Sequence, residues 1–454
     1  MHREMSRAFL IIPEIREFLS GDNKEALKEI FSEYEPVEVA EILTEFSLKE
    51  RVLLFSLWNI DFAADVFEKM EKDDQIALMG AIDEARKGKI LNELAPDDRV
   101  DFFEELPEEM VDRFLSIMER EEARDARELM TYDASTAGGR MTTEFAHLKE
   151  DMTVEQALEE LRKTAKELEM IYYIYIENRY NHLVGVISLK DLIMAQPSTR
   201  LSKIMHTKLI TIPIDMDQEH VAAEIAKYDF LALPVVDNRG RMKGIITVDD
   251  VIDVIEEEDT EDMYKFGAAG EHVEDYMSMR PTLVARNRMT WLLILVVTSF
   301  LSGLILQKFS FALESIIALS FFIPLIMGSG GNAGTQAAMV TVRGLATGEI
   351  RMGDLWRVVK KEFLVGAMLG AGLGVLALVR ALIFQKSSLL GTTVAFSMII
   401  TITAATCLGA ILPLICKRLG IDPAVVSGPL ITTVLDISSL LIYFRIAIFL
   451  LGLS

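Results

Sequence analysis

Five long stretches that are uncharged, or nearly so, crowd the C-terminal part of this chain and constrain its fold more than any other feature. They are Met289–Gln307, Ser315–Val342, Phe363–Val379, Ser387–Cys416 and Pro423–Ser454, the last interrupted by Asp436 and Arg445. Roughly 20 apolar residues carry a helix across the hydrocarbon core, so these runs predict five membrane spans. The second and fourth are long for one crossing, which predicts a tilted, broken or re-entrant course. Lys and Arg near the span ends set the orientation. Arg286 and Arg288 precede the first span; Arg343, Arg351, Arg357, Lys360 and Lys361 separate the second from the third; Lys417 and Arg418 separate the fourth from the fifth. The alternate loops hold only Lys308, Arg380 and Lys386. This asymmetry predicts a multi-pass protein of the cell (inner) membrane, its N-terminal part cytosolic and its C-terminus outside.

Charge divides the chain at the same place. From Arg286 onward there are 13 Lys/Arg and 6 Asp/Glu, leaving 33 and 63 of the chain's 46 and 69 for residues 1–285. An acidic soluble part is thus joined to a lipid-compatible part. That excludes a single soluble globule, a nucleic-acid binder with a basic face and a disulfide-stapled secreted domain. Both cysteines, Cys407 and Cys416, lie in the apolar part and give no sign of an oxidising compartment. Residues 1–35 carry charges every few positions and do not read as a signal peptide, so the acidic part is expected to stay in the cytosol.

Within the spans, the polar and small residues are the informative ones. The second contains Pro324 and then Gly328-Ser329-Gly330-Gly331-Asn332-Ala333-Gly334-Thr335-Gln336. Small residues allow close helix packing. Asn332 and Gln336, four apart on one face, point instead to a polar pathway. The fifth contains Asp436, and a mid-span aspartate costs about 2.5–3.5 kcal/mol on insertion scales, so it should face a cavity or a partner. An ion pair with Arg380 or Arg445 is the structural alternative. Glu362, at the edge of the third span, is open to either an interfacial or a functional role. Carboxylate, carbonyl and hydroxyl oxygens suit a hard divalent cation, and no His/Cys cluster suggests zinc or copper.

The cytosolic part has two grammars. Residues 1–128 repeat with a period of about 24, in the range of helical solenoids. Glu50-Arg51-Val52-Leu53-Leu54-Phe55, Asp74-Gln75-Ile76-Ala77-Leu78-Met79 and Asp98-Arg99-Val100-Asp101-Phe102-Phe103 fall in register. From about Leu129 a second pattern begins and is duplicated. Met141-Thr142-Thr143 and Met205-His206-Thr207 each open a helical stretch, a β-rich ending and a new helix start. The endings, Gly185-Val186-Ile187-Ser188 with Asp191 and Gly244-Ile245-Ile246-Thr247 with Asp250, carry the Gly-x-Ile-(Ser/Thr)-x-x-Asp signature of cystathionine-β-synthase-type (CBS) domains. Ser188, Asp191, Thr247 and Asp250 are accordingly candidate nucleotide contacts. Two copies in register point to the fold; many such pairs bind no nucleotide. Nine carboxylates then lie between Asp249 and Asp262. Such a run is usually a solvated face. Here it leads toward the first span, where its self-repulsion could do mechanical work that divalent cations would relieve.

At these residues the chain resembles the MgtE family of magnesium channels and transporters. The resemblance covers nearly the whole length. It rests on the domain order, on Gly330-Gly331-Asn332-Ala333-Gly334-Thr335-Gln336, and on Asp422-Pro423-Ala424 through Ser427, Pro429 and Asp436 to Leu441-Ile442-Tyr443-Phe444. It implies a multidomain membrane protein: an α-helical superhelical domain over 1–128, an α/β tandem CBS pair over 129–258, an acidic connecting (plug) helix over 259–285 and a five-helix transmembrane domain over 286–454. It further implies a homodimer whose pore lies at the subunit interface, lined by the second and fifth spans. Asp436 would select hydrated Mg²⁺, the transported ion, with Gly328, Asn332 and Thr432 lining the pore beside it. Regulatory Mg²⁺ would be held by Asp97, Asp101, Asp217, Glu219, Asp250, Asp253, Glu258, Glu261 and Asp262. Ser439 departs from the family's usual glycine, and no matching aromatic marks a nucleotide site, so ATP binding stays open. Other readings are a carrier of Mn²⁺, Co²⁺ or Ca²⁺, and a non-conducting CBS sensor anchored in the lipid bilayer. An enzyme is not expected: the chain has no P-loop and no nucleophile–His arrangement.

Overall fold

The computed structural model describes residues 7–104, 106–166, 168–268, 280–425 and 428–453. Contacts divide the chain into two units, Met1–Ile255 and Glu256–Ser454.

The first unit opens with ten helices of eight to ten residues between Ile12 and Leu129. Their starts explain the sequence repeat. Helices begin at Pro36, Ile60, Glu84 and Glu108, and alternate with others beginning at Leu48, Lys72, Pro96 and Arg120, each series stepping by 24 residues. Local chemistry keeps them short. Ser47 and Glu50 form a reciprocal capping box, the Asn59 and Asp83 side chains accept from the first-turn amides of their helices, and Pro36 stands in the first turn. One repeat position then does the joining. Arg51, Gln75 and Arg99, 24 apart, are all buried and donate to carbonyls at preceding helix ends: Arg51 Nε to Phe46 O at 2.9 Å, Gln75 Nε2 to Phe67 O at 2.7 Å, and Arg99 Nη2 to Leu94 O at 2.8 Å. Helix ends leave carbonyls without intrahelical partners, and these side chains satisfy them where water cannot reach.

The CBS pair follows as two copies of one three-stranded sheet. The first sheet has β1 (Phe145–Lys149), β2 (Met170–Glu177) and β3 (Leu183–Ser188); the second has β4 (Ile212–Pro213), β5 (Ala232–Val236) and β6 (Met242–Thr247). In both, the first two strands are parallel and the last two antiparallel. The helices Val154–Thr164 and Gln218–Tyr228 make the parallel crossovers.

The last helix of the CBS pair leads straight into the acidic connection. It runs unbroken from Val248 to Phe266, so residue 258 lies inside it and the acidic run is its continuation. Glu271, Glu274 and Asp275, which also belong to the acidic connection, and Ser427, named in the pore motif, lie outside the described residues.

Among the described residues the second unit contains five helices long and apolar enough to span a membrane: Pro281–Lys308, Ile317–Ala346, Met352–Phe384, Ser388–Arg418 and Gly428–Leu451, here spans 1 to 5. Span 1 begins before its uncharged run because Arg286 and Arg288 are carried on the same helix. Of the two long runs, one is broken and one is not. A short helix, Ser310–Ser315, is followed by Ile316 at φ −139°, ψ 86°, then by a 3-10 segment, Ile317–Phe322, before the regular helix of span 2 starts. Span 4 is one continuous helix of 31 residues, about 46 Å at the usual rise. Close packing comes from missing side chains. Gly366, Gly370 and Gly374 of span 3 repeat every fourth residue, and a Cβ on Gly370 would stand 2.7 Å from Ile399 Cα of span 4. Gly409 of span 4 abuts the Gly334 carbonyl of span 2, so any side chain at 409 would force these two helices apart.

Candidate functional site

Spans 2 and 5 place Thr432 and Asp436 of the sequence-predicted residues against Gly331, whereas Gly328 and Asn332 lie on an exposed face of span 2. A Cβ on Gly331 would stand 3.6 Å from Asp436 Oδ1 and 3.5 Å from Thr432 Cγ2. One residue earlier, a Cβ on Gly330 would stand 2.6 Å from Ser439 Oγ. Thr432, Asp436 and Ser439 thus lie along a helix that offers them no side chains. Ser439 is buried, and glycine at 330 leaves room for its hydroxyl. On the same helix, Gly328, Asn332 and Gln336 share an exposed face with Pro324.

Asp436 is half-buried and, among the described residues, forms no hydrogen bond or ion pair. The two arginines considered as partners are engaged elsewhere or turned away. Arg380 lies 4.6 Å over the Phe322 ring and donates to Phe321 O at 3.4 Å, while Arg445 is exposed. Neither arginine therefore accounts for Asp436 through a structural ion pair within the chain. Glu362 is half-buried at its helix edge, and its carbonyl accepts from Thr406 Oγ1 at 2.9 Å.

A second concentration of carboxylates lies within the first unit. Asp97 is 9% exposed and its Oδ1 is buried without a hydrogen-bond partner. Burial, reinforced by Asp250, Asp98 and Glu169, pushes its carboxyl far above the usual range. Asp98 is pushed up to about 8 by burial and then by Glu68. Glu169 rises to about 7 through burial and Asp250, and Asp250 to about 6 through burial, partly offset by its Thr247 hydrogen bond. Burial likewise lifts Glu144 to about 7. Lys69, paired with Glu68 at 2.6 Å, is drawn on by Asp98 and Asp253. Of the expected regulatory residues, Asp97, Asp101, Asp250 and Asp253 act on this neighbourhood electrostatically. Asp98, Glu169, Glu68 and Glu144 belong to it too and were not anticipated.

The remaining expected ligands stand elsewhere. Asp217 caps the helix Gln218–Tyr228, accepting from Glu219 N at 3.0 Å, and Arg140 links Asp101 at 3.3 Å to Gln218 at 3.0 Å. Glu258, Glu261 and Asp262 belong to the second unit. Among the described residues no three His, Cys, Asp or Glu side chains converge to hold a metal ion. The cluster is therefore mutually repulsive without being an inner-sphere cage. That still suits Mg²⁺, which keeps several of its waters, and the orphaned Asp97 Oδ1 supplies a buried acceptor for one.

The CBS signature residues bond to each other. Ser188 Oγ donates to Asp191 Oδ2 at 2.7 Å and caps the next helix; Thr247 Oγ1 donates to Asp250 in the same way. Next to them is a small open cleft lined by Tyr173, Tyr175, Lys208, Phe230 and Pro234 among others. The Tyr175 hydroxyl is buried there without a partner. These aromatics were not recognised from sequence because they come from a strand and a distant loop, outside the motif.

Acid-rich cytosolic domains, five apolar helices and an unpaired intramembrane carboxylate beside a glycine-rich helix define a polytopic transporter of hard divalent cations. Comparison with known proteins agrees. Residues 323–446 match the MgtE divalent cation transporter family, 34–135 the MgtE intracellular N domain, and 137–198 and 201–257 CBS domains. The chain is 38% identical to the magnesium transporter MgtE of Thermus thermophilus over 436 residues, covering 95% of this chain and 97% of the relative. Identity to the magnesium transporter MgtE of Bacillus subtilis is 36% over 420 residues, or 92% and 93%. The crystal structure of the cytosolic domain of the Mg²⁺ channel MgtE in complex with ATP superposes with a TM-score of 0.51 at 36% identity, covering 54% of this chain and 99% of that one. The soluble part of a magnesium transporter gives 0.53 at 34%, covering 56% and 99%. The chain belongs to the MgtE family, a membrane-integral transporter family with an N-terminal cytosolic domain and not an enzyme class.

Proposed function

We propose that this protein conducts Mg²⁺ into the cell as a homodimer and is shut by cytosolic Mg²⁺. The observation that carries the pore is Asp436, an unpaired carboxylate beside Gly331 and Thr432. The exposed face of Gly328, Asn332 and Gln336 supports a second copy opposite it, with hydrated Mg²⁺ between the two Asp436 side chains. Without a cation these would repel. The inside-negative potential contributes about 2.3 kcal/mol per charge per 100 mV to entry, and the C-terminus lies outside.

Gating is supported by the raised carboxyls around Asp97 and Asp98. When cytosolic Mg²⁺ is high, ions neutralise Asp97, Asp101, Asp250 and Asp253, with Asp217, Glu219, Glu258, Glu261 and Asp262 as further contributors, and the closed state is favoured. When Mg²⁺ falls, the acids repel and the closed state is lost. Weak sites acting together suit a sensor of millimolar ion. The test is Mg²⁺ flux in proteoliposomes with each side varied independently. Inhibition by Mg²⁺ on the cytosolic side alone is expected; flux indifferent to it would sink the gate. Competition by Mn²⁺, Co²⁺ and Ca²⁺ in the same vesicles separates Mg²⁺ from the other divalent substrates.

Nucleotide modulation is a second reading, favoured by the cleft of Tyr173, Tyr175 and Phe230 beside the Ser188 and Thr247 motifs. ATP is expected to shift the Mg²⁺ concentration that closes the pore, and Tyr173→Ala to abolish that shift by removing a stacking face. A closing concentration identical with and without ATP in the unaltered protein excludes it.

A further inference from the structure

The helix Val248–Phe266 carries nine carboxylates and a single lysine, Lys265, one residue from its end. Glu258, Glu261, Asp262 and Lys265 follow an i, i+3, i+4, i+7 stripe, so they share a face. Lys265 is not spent on its own helix alone. Its Nζ lies 2.7 Å from Glu261 Oε1 and 2.8 Å from Asp422 Oδ2, in the loop that leads into span 5. Burial disfavours the ammonium, yet the Asp422 and Glu261 hydrogen bonds outweigh it and hold the charge. Asp422 is itself fixed, since its other oxygen accepts from Ala424 N at 2.8 Å.

The next residue extends the contact to the pore-lining helices. A Cβ on Gly428, the first residue of span 5, would stand 3.4 Å from Phe266 Cε1 and 3.5 Å from Thr335 Cγ2 of span 2. The end of the acidic helix therefore meets the start of span 5 through one ion pair and one aromatic edge, where span 5 itself packs on Thr335 of span 2. Every other charged side chain on this helix is acidic, so among the described residues Lys265 is its cationic hold on the membrane domain.

We propose that Lys265 is a built-in cation latch: shared by Glu261 and Asp422, it holds the end of the acidic helix on the entrance of span 5 and sets how much cytosolic Mg²⁺ closes the pore. The ammonium already lies between these carboxylates, so Glu261 serves the latch as well as the acidic face that Mg²⁺ neutralises. The inference rests on the gating reading above and assigns that gate a residue outside the acid clusters. Mg²⁺ neutralises the acids, whereas Lys265 supplies the attraction that remains. Ion pairs this exposed are individually modest, so the latch tunes a threshold instead of deciding between open and shut.

The experiment uses the full chain in proteoliposomes. Lys265→Met and Asp422→Asn should each leave flux at zero cytosolic Mg²⁺ unchanged and raise the half-inhibitory Mg²⁺ by about three- to tenfold. The exchange Lys265→Asp with Asp422→Lys, which puts the ammonium between two carboxylates again, should return it toward the original value. Unchanged inhibition in both single variants overturns the latch, as does an exchange no better than either. Should the unaltered protein show no cytosolic inhibition, the gate fails, and docking is read instead from chymotryptic cleavage after Phe266. Faster cleavage in Lys265→Met than in the unaltered chain then upholds the latch as a contact, and equal rates overturn it.

Discussion

Asp436→Ala is expected to cut Mg²⁺ uptake about a hundredfold or more while the protein still reaches the membrane. Two considerations set the direction. Insertion scales charge about 2.5–3.5 kcal/mol for a mid-span aspartate, so its removal should stabilise the helix in lipid. The loss therefore cannot be blamed on folding. For permeation, the same carboxylate is the anionic group that spans 2 and 5 present at Gly331, and it has no partner of its own to satisfy. Forfeiting about 3 kcal/mol of cation stabilisation corresponds to roughly two factors of ten. Asp436→Asn keeps the size and loses the charge, so it should fail almost as badly. Asp436→Glu should retain part of the flux. Uptake by Asp436→Ala within twofold of the unaltered protein, at matched membrane levels, would remove Asp436 from the pore.

How much of this was legible beforehand depended on whether the signal was local. The helical stack was readable because the apolar pattern repeats every 24 residues or so, whereas the Ser47–Glu50 box and the caps at Asn59 and Asp83 that start its helices emerged only in the structure. The span count followed from uncharged length alone, and the length of Ser315–Val342 allowed a break, but not its place at Ile316, because no breaker stands before Pro324. At the pore, Asp436 was visible as an energetic anomaly, and its glycine-lined surroundings as a composition anomaly. The cytosolic cluster was only half legible. Asp97 and Asp250 could be named from the family pattern, whereas Glu169 precedes β2 in a stretch with no motif and joins them only through the tertiary fold. Asp98 was in plain view beside Asp97 but read as part of the repeat. Lys265 was hidden for a different reason: one lysine after nine acids looks like charge balance until its bond to Asp422 is seen.

The acid cluster carries the other large effect, and its sign can be worked out. Asp98 at about 8 and Glu144 and Glu169 at about 7 hold protons in the folded, Mg²⁺-free protein that an unfolded chain would release near pH 4. Below about pH 4 both states are protonated and the cluster costs nothing. Above it the folded state binds more protons than the unfolded one, so stability falls as pH rises, until the folded values are passed near pH 8. Between pH 6.5 and 8.5 the three groups together should cost the Mg²⁺-free cytosolic part about 2–3 kcal/mol, read as a lower unfolding temperature in the full-length protein. Mg²⁺ acts in the opposite sense, since it must displace those protons to bind. Its half-effective concentration for protection against proteolysis should therefore fall about tenfold from pH 6.5 to 8, as release of about two-thirds of a proton per ion over that range requires. Asp98→Asn removes the largest of the three terms. It should raise the Mg²⁺-free unfolding temperature at pH 8.5, where the unaltered protein is weakest, and flatten the pH dependence of Mg²⁺ protection. An unfolding temperature flat from pH 6.5 to 8.5, with the same Mg²⁺ midpoint at both ends, would mean that the carboxylates around Asp97 are neutralised by something other than protons and Mg²⁺, and the gate would lose its sensor.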